Sequence, residues 1–348
     1  MIGVRGRPGD LTEETAPPAL IRCKPLVAAA LREAALRLSP QIRRVVAYHL
    51  GWLDESGREV ESNGGKAIRP ALTLLCAEAV GAAPESALTG AVALELVHNF
   101  SLIHDDVMDG DALRRHRLTV WALFGVGQAI TAGDALAALA NRLLQEDPRP
   151  EARAAAIELG RATAQMIQGQ SEDLAFESRL DVTERECLAM SAHKTGALLG
   201  CAGAVGAIFG GGDATAVRRL RSFGRHLGLA FQAVDDVLGI WGDPSTTGKP
   251  VASDVRQHKK SIPVVHALRT GGAAGRELGA LLSGGELSGD RLSKAVALLE
   301  ATGSRAFTEG LAARRLGLAL AELDGGRFEP EPAQELRRVA RFVLRRAF

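Results

Sequence analysis

The sequence predicts an all-α fold, and three observations support that prediction. Hydrophobic residues make up 46% of the 348 residues, yet aromatic residues make up only 4%. Ala and Leu, which have high helix propensity, are abundant. Runs of alternating β-branched residues are missing, and no hairpin turn separates two strand-like stretches. We therefore expect packed helices rather than sheets.

Individual helices are predicted by apolar stretches and by proline positions. Residues 91–103 and 223–233 are apolar, and each stretch leads into an acidic cluster that we expect at the end of a helix. Residues 195–212 carry little charge but are too short for a membrane span, so they predict a core helix. Prolines fall where helices should start or stop, at Pro40, Pro70, Pro84, Pro148 and Pro263.

The chain is long enough for one large domain, which we place at residues 19–348. Residues 1–18 contain Pro8, Gly9, Pro17 and Pro18 and predict a disordered extension. A glycine-rich stretch at residues 271–289 predicts a loose connection between helices, since composition does not change there.

Charge and cysteine usage narrow the function classes. The net charge is +1, so nothing suggests binding to a nucleic acid. The cysteines, Cys23, Cys76, Cys187 and Cys201, form no CxxC pair and follow no secretory leader. We therefore expect reduced, mostly buried thiols in a cytoplasmic protein.

The acidic clusters predict a metal site. Asp105 and Asp109 are four residues apart and would share one helix face, and Asp235 and Asp236 form the second cluster. Carboxylates that close apolar helices are costly unless a cation lies between them. Mg²⁺ suits oxygen ligands and commonly bridges to phosphate, so we expect a diphosphate held between two helices.

Further motifs occur in a fixed order around these clusters. The chain resembles the trans-isoprenyl diphosphate synthases (polyprenyl synthetases) over roughly residues 60–265. The resemblance is carried by GGKAIRP at 64–70, SLIHDDVMD at 101–109 with Arg114 and Arg115, GQSEDL at 169–174, Lys194-Thr195, FQAVDD at 231–236, GKP at 248–250, Asp254 and KKSIP at 259–263. A single acidic motif is weak support, whereas this ordered series is very specific.

The resemblance implies an isoprenoid synthase type helical bundle around a deep central cavity, assembled as a homodimer. It implies condensation of isopentenyl diphosphate with dimethylallyl, geranyl or farnesyl diphosphate. Mg²⁺, three ions per active site, would be held by Asp105, Asp109 and Asp235, and Asp106, Asp236, Arg114 and Lys194 would complete the catalytic group. Isopentenyl diphosphate would occupy a metal-free pocket of Lys66, Arg69, His98 and Arg115, with Thr195, Phe231, Gln232, Lys249 and Lys259 as further substrate-binding residues.

Product length is predicted by residues upstream of the first aspartate. Phe100 stands five residues before Asp105, followed by Ser101, while Val97 and Leu94 lie deeper on the same helix face. A single aromatic residue at that position, with no insertion between Asp105 and Asp109, resembles geranylgeranyl diphosphate synthases. We therefore expect geranylgeranyl diphosphate as the product.

The chain departs from the family pattern at three places. Ala67 replaces a usual arginine, and residues 116–118 (His-Arg-Leu) replace the usual Gly-x-Pro after the arginine pair. Gly239 stands where the second motif normally has its third aspartate, and Asp243 one turn later is a candidate to compensate.

Alternatives remain open. A class I terpene cyclase on the same scaffold would not need the second diphosphate pocket, and a non-catalytic subunit of a heteromeric synthase would be expected to lose aspartates of the first motif. The terminal arginines predict a solvated helix face, with weak contact to an anionic membrane surface as the alternative. These residues are Arg337, Arg338, Arg341, Arg345 and Arg346.

Overall fold

Helices account for nearly all regular structure in residues 16–60, 67–243 and 251–344, the parts of the chain that the computed structural model describes. The N-terminal helices are α1 (Pro18–Ala35), α2 (Pro40–His49), α3 (Ile68–Ala79), a 3₁₀ turn (Pro84–Ala87) and α4 (Leu88–Met108). A short hairpin follows, β1 (Leu113–Arg114) and β2 (Arg117–Leu118), then α5 (Val120–Phe124), α6 (Val126–Glu146) and α7 (Pro150–Glu177).

The second half continues the bundle. It consists of α8 (Glu184–Ser191), a π-helical turn (Ala192–Gly196), α9 (Ala197–Phe209), α10 (Ala214–Trp241), α11 (Ser253–Arg256), α12 (Ile262–Thr270), α13 (Gly272–Ser283), α14 (Gly289–Ala301), α15 (Ser304–Asp324) and α16 (Pro330–Leu344). The all-α prediction is confirmed.

Several local predictions need correction. The chain has a small antiparallel hairpin, β1–β2, and an isolated bridge between Leu53 and Glu59, both too short for a period-2 pattern to reveal them. The second acidic cluster does not end its helix, since α10 continues to Trp241. Residues 271–289 contain α13 rather than only a loose connection. Pro18 begins α1, while residues 1–15 of the predicted extension lie outside the described residues.

The core surrounds α4 and α9. Every residue of α9 except Ile208 is buried, so the core helix predicted there is confirmed. The segment Pro84–Met108 is long and apolar enough to cross a membrane by length and composition, but most of it is buried inside the protein, as in a core helix. All four cysteines are free and buried, as expected.

Glycines allow the central helices to approach closely. A Cβ at Gly206 of α9 would lie 2.1 Å from the Thr73 carbonyl oxygen of α3. A Cβ at Gly224 of α10 would lie 2.1 Å from the Leu199 carbonyl oxygen of α9. Both neighbours are backbone atoms, which cannot rotate away as a flexible side chain can. The spacing of α3, α9 and α10 therefore depends on these glycines.

Gly206→Ala should lower the free energy of unfolding by about 1–3 kcal/mol or more, because the added methyl group overpacks the contact with α3. Gly160→Ala is the matched control, since Gly160 lies within α7 and nothing is within 4 Å of a Cβ there. It should be neutral or stabilising by up to about 1 kcal/mol. Denaturant unfolding measures both; equal stability of the two variants would contradict the packing argument.

Candidate active site

The aspartates at the C-terminal end of α4 have different surroundings. Asp106 is buried, and its Oδ1 accepts hydrogen bonds from Arg114 Nε at 2.8 Å and Arg114 Nη2 at 2.7 Å. Arg114 belongs to β1, so this ion pair ties the hairpin to the end of α4. Asp106, predicted as a catalytic residue, thus fixes the position of a cation predicted to bind diphosphate.

Asp105 and Asp109 lie on the same side of that helix end. Burial raises the pKa of Asp105 to about 6, with Lys194 opposing this increase and Asp109 adding to it. Asp109 accepts a hydrogen bond from Lys259 Nζ at 3.0 Å. Burial alone would lower the pKa of Lys259, but the neighbouring aspartates, Asp109 foremost, raise it overall. The predicted metal ligands are therefore surrounded by lysines that offset part of their charge.

The Lys194-Thr195 pair lies in the π-helical turn between α8 and α9. Lys194 Nζ donates to Asp173 Oδ2 at 2.6 Å. α7 passes so close that a Cβ at Gly169 would lie 2.3 Å from the Lys194 backbone nitrogen. Such π-helical turns recur at functional sites, because they widen the helix and re-aim its side chains. Here the turn directs Lys194 toward the acidic end of α4, as its effect on the Asp105 pKa shows.

Gln232 connects the π-helical turn to the second acidic cluster. Its Oε1 accepts from Thr195 Oγ1 at 2.5 Å, and its Nε2 donates to Asp236 Oδ1 at 2.7 Å. We expected Gln232 to face the diphosphate; the structure engages both ends of its amide within the protein. Thr195 and Gln232 thus position neighbouring groups, and their contact with substrate stays a prediction.

Asp236 is a buried carboxyl held from several sides. Its Oδ2 accepts from the Ile262 backbone N–H at 2.8 Å, at the start of α12. Burial, reinforced by Asp254, raises the pKa of Asp236 to about 7. Asp235 and Phe231, by contrast, are half-buried. The predicted metal ligand Asp235 is therefore the more accessible carboxylate of this cluster.

Three predicted members of the second pocket come together. Arg69 Nη1 lies 3.0 Å from His98 Nε2. Arginine can only donate, so His98 accepts and is neutral here, consistent with a pKa that burial lowers well below its usual value. The charges of Arg69, Arg115 and, more weakly, Arg114 act on His98, so the arginine pair lies near this pocket and Arg115 acts on it more strongly than Arg114 does. Asp235 also acts on Arg69, so the two predicted sites are neighbours.

A polar network behind this pocket was missed from sequence. Asn99 Nδ2 donates to the Glu95 carbonyl oxygen at 2.8 Å and to Glu95 Oε1 at 3.2 Å. His49 Nε2 lies 3.1 Å from Asn99 Oδ1. Burial raises the pKa of Glu95, and Arg69 opposes that shift. A glutamate inside the apolar stretch 91–103, four residues before Asn99, was the signal available in the sequence.

The departure at Gly239 has a structural explanation. A Cβ at Gly239 would lie 2.2 Å from Asp254 Oδ2 and 2.5 Å from its Cγ. The carboxylate of Asp254, carried by α11, therefore occupies the space that a side chain at position 239 would need. We suggested Asp243 as the compensating residue; Asp254 is the acidic side chain that lies against Gly239.

The residues predicted for chain length lie on the buried part of α4. Val97 and Phe100 are buried, and Ser101, half-buried, donates from Oγ to the His98 carbonyl oxygen at 2.8 Å. The Phe100 ring meets the His104 ring edge-on at 5.0 Å. His104 packs in turn on Gly133 of α6, so Phe100 is supported from behind.

The acidic residues supply the oxygen ligands that Mg²⁺ prefers, but they are not already arranged as a metal site. Carboxylate oxygens are suitable ligands, and burial, reinforced by Asp109, raises the pKa of Asp105 despite the nearby cations, so a bound metal ion would favour its charged form. Within residues 16–60, 67–243 and 251–344, no group of three or more His, Cys, Asp or Glu side chains is placed to hold a metal ion. Asp109 would have to exchange its Lys259 contact for a metal. Lys66 and Lys249 lie outside the described residues.

Fold and site together define an isoprenoid synthase type of helical bundle, and comparison with known proteins gives its family. Residues 51–299 match the polyprenyl synthetase family. A (2E,6E)-farnesyl diphosphate synthase from Mycobacterium bovis is 47% identical over 333 residues, which cover 94% of this chain and 93% of that protein. The chain therefore belongs to the polyprenyl synthetase family and is a prenyltransferase.

Solved structures agree. A polyprenyl synthetase from Streptomyces coelicolor A3(2) has a TM-score of 0.89 and 48% identity, covering 94% of this chain and 99% of that one. A geranylgeranyl pyrophosphate synthase from Corynebacterium glutamicum, complexed with isoprenyl diphosphate and magnesium, has a TM-score of 0.79 and 27% identity, covering 94% and 97% of the two chains. The family predicted from the sequence motifs is confirmed.

The contact between Gly239 and Asp254 predicts a measurable coupling. Gly239→Ala should lower the thermal stability, because the new methyl group displaces the Asp254 carboxylate. In a background of Asp254→Ala the same change should cost much less, since the side chain that obstructs it is gone. A double-mutant cycle by thermal unfolding gives the coupling, expected to be about 0.5–3 kcal/mol. Additive effects would contradict this explanation.

Proposed function

We propose that this prenyltransferase is Mg²⁺-dependent and makes geranylgeranyl diphosphate by head-to-tail condensation of isopentenyl diphosphate with allylic diphosphates. The observation that carries the proposal is the pairing of two different charge environments. One environment is acidic, contains lysines, and lies at the C-terminal end of α4 and in α10. The other is the basic pocket of Arg69, His98 and Arg115. Two diphosphates can thus be bound side by side and treated differently.

The acidic environment suits the allylic diphosphate. Mg²⁺, when bound by Asp105, Asp109 and Asp235, would neutralise the departing diphosphate. Arg114, fixed by Asp106, and Lys194, fixed by Asp173, add positive charge that is already oriented. Fixed charges of this kind stabilise a leaving group without reorganising as the bond breaks.

The basic environment suits isopentenyl diphosphate without a metal. The neutral His98 orients the Arg69 guanidinium, and Arg115 adds a second fork-shaped donor. The double bond of the bound isopentenyl group attacks the allylic carbocation, and apolar walls keep water from quenching that cation. The released diphosphate accepts the departing proton, so no separate catalytic histidine is required.

The basic pocket also distinguishes this function from the alternatives. A terpene cyclase ionises one diphosphate and has no use for a second basic pocket, in which Arg69 contacts His98 and the charge of Arg115 acts on His98. A non-catalytic subunit would be expected to lose aspartates of the first motif, and Asp105, Asp106 and Asp109 are all retained. Both alternatives are therefore disfavoured.

Two product lengths compete. The buried Phe100, which His104 supports, lies about one and a half helical turns from Asp105. Its ring would block the growing chain and so form the floor of the substrate cavity, which favours a product of twenty carbons. The 47% identical relative is named a farnesyl diphosphate synthase, which favours fifteen carbons for this chain as the second candidate. Position 100 carries a single aromatic residue followed by the small Ser101, so we propose the longer product.

We propose that the enzyme works as a homodimer in the cytoplasm. The exposed apolar side chains Val126 and Ile130 on α6 support association of two copies through that helix. Free, buried cysteines are consistent with a reducing compartment. The basic face of α16 supports a solvated surface rather than a lipid contact, because Arg337 pairs with Asp324 and Arg338 pairs with Glu335.

Metal dependence is the first test of the function. EDTA should abolish condensation and Mg²⁺ should restore it, while Asp105→Ala should lower kcat by several orders of magnitude, because its role is in the transition state. Asp181→Ala is the control, since Asp181 is exposed and its carboxylate pairs with Arg179. Near-normal turnover of Asp105→Ala would overturn the metal assignment.

The division into two diphosphate sites is tested at Arg69. Arg69→Ala should raise the KM for isopentenyl diphosphate about ten- to hundredfold, the usual consequence of losing a charge-assisted contact. The KM for the allylic substrate should change much less. Steady-state kinetics with each substrate varied in turn gives both values, and equal increases would contradict separate pockets.

Product length is tested at the floor of the cavity. Phe100→Ala should lengthen products beyond twenty carbons, because a growing apolar chain fills the space that the ring leaves. Ser101→Phe should shorten products toward fifteen carbons. Phe328→Ala, which removes a partly buried ring remote in sequence from α4, should leave the length unchanged. Mass spectrometry of the products decides; parental products from both α4 variants would place the floor elsewhere.

A further inference from the structure

We propose that Arg117 is a positioning residue for the isopentenyl diphosphate pocket. Its hydrogen bonds hold the turn that carries Arg115 against the segment that precedes α3. The proposal rests on the proposed function, since it assigns Arg117 a part in the binding of one of the two substrates. Arg117 belongs to the His-Arg-Leu stretch that replaces the Gly-x-Pro usual in the family.

The turn that carries Arg115 is strained. Arg114 pairs with Arg117 across β1 and β2, so Arg115 and His116 are the two residues of the turn. Both have positive φ, 52° and 62°, in the left-handed region that disfavours residues with a Cβ. Two-residue hairpin turns with two positive φ angles normally use Asn and Gly. Without other contacts, this turn would relax and carry Arg115 away from its present position.

Arg117 supplies those contacts. Its Nη2 donates to the Leu53 carbonyl oxygen at 2.6 Å, and its Nη1 donates to the Tyr48 carbonyl oxygen at 3.4 Å. The guanidinium also lies over the Tyr48 ring, 4.4 Å from its centroid. Tyr48 returns the contact, since its hydroxyl donates to the Leu118 carbonyl oxygen at 2.7 Å. The β1–β2 hairpin is thereby fastened to the end of α2.

The surface that receives Arg117 is itself ordered by local bonds. Leu53 forms a bridge with Glu59. Asp54 Oδ1 accepts from the backbone nitrogens of Ser56 and Arg58, each at 2.9 Å, which closes the turn between them. This segment precedes α3, which carries Arg69. One guanidinium therefore connects the turn bearing Arg115 to the bridged segment 53–59.

The effect should fall on one substrate. Arg114 has its own anchor in the buried Asp106, so the allylic site does not depend on Arg117. Among the described residues, Arg115 forms no salt bridge with a carboxylate, and its charge acts on Glu95 and His98 at the second pocket. Loss of Arg117 therefore weakens isopentenyl diphosphate binding and leaves the allylic substrate nearly unaffected.

The test is steady-state kinetics of Arg117→Ala with each substrate varied. We expect the KM for isopentenyl diphosphate to rise about tenfold and the KM for the allylic substrate to change by less than about twofold. Arg58→Ala is the matched control. Arg58 is an exposed arginine in segment 53–59, and its side chain pairs with Asp54. It removes the same charge and should leave both values unchanged.

A second substitution distinguishes loss of the Arg115 position from a general loss of protein stability. In Arg117→Ala, the further change His116→Gly should restore part of the isopentenyl diphosphate affinity, because glycine adopts a φ near 62° without steric cost. Arg117→Lys keeps the positive charge, but a single ammonium group cannot donate to both carbonyl groups as the guanidinium does. Its KM for isopentenyl diphosphate should therefore lie between those of the parent and Arg117→Ala. If Arg117→Ala does not fold, Arg117→Lys with and without His116→Gly gives the same comparison.

The outcomes are distinguishable. A parent enzyme that does not condense isopentenyl diphosphate would overturn the proposed function itself. A parent that condenses normally, together with an Arg117→Ala enzyme whose two KM values are unchanged or rise equally, would overturn the role of Arg117. Failure of His116→Gly to restore any affinity would also overturn it, since relief of turn strain is the proposed cause.

Discussion

Carboxyl groups buried beside other carboxyl groups set the charge pattern on which the rest of the site depends. Burial raises the pKa of Asp105 to about 6 and that of Asp236 to about 7, so both are held in an environment unfavourable to their charged forms. At Asp105 the protein offsets part of this effect with cations from distant parts of the chain, Lys194 from the π-helical turn and Lys259 from the segment before α12. The same cations are available to a diphosphate, so charge balance and substrate binding have one origin.

Supporting contacts give each functional cation a fixed position. Arg114 is held by Asp106, Lys194 by Asp173 and Arg69 by His98. Each supporting group lies on a different element from the cation it holds, so β1 and α3 are tied to α4, and the π-helical turn is tied to α7. The close glycine contacts between α9 and its neighbours make that framework rigid. A site that separates charge needs this rigidity, since misplaced cations would favour the ground state as much as the transition state.

The fold was largely predictable from the sequence, whereas the contacts between the candidate site residues were not. Helical periodicity and ordered motifs identified α4, α10, Asp105 and Arg69, because these depend on local sequence. The pairing of Lys194 with Asp173 depends on how α7 approaches the π-helical turn, and no local pattern encodes that approach. The β1–β2 hairpin was missed because its strands have two residues each and its turn contains Arg and His rather than Asn and Gly.

Departures from the family pattern are best understood as pairs of residues. Gly239 alone looks like the loss of a carboxylate, and the Asp254 side chain, itself part of the family motif series, occupies the space beside it. His116 alone looks like an unfavourable replacement of glycine at a positive φ, but the neighbouring Arg117 holds the turn through its contact with the Leu53 carbonyl oxygen. In both cases the effect of the departure depends on a side chain close in space. An isolated motif position therefore says little about the strength of the site until its structural partner is known.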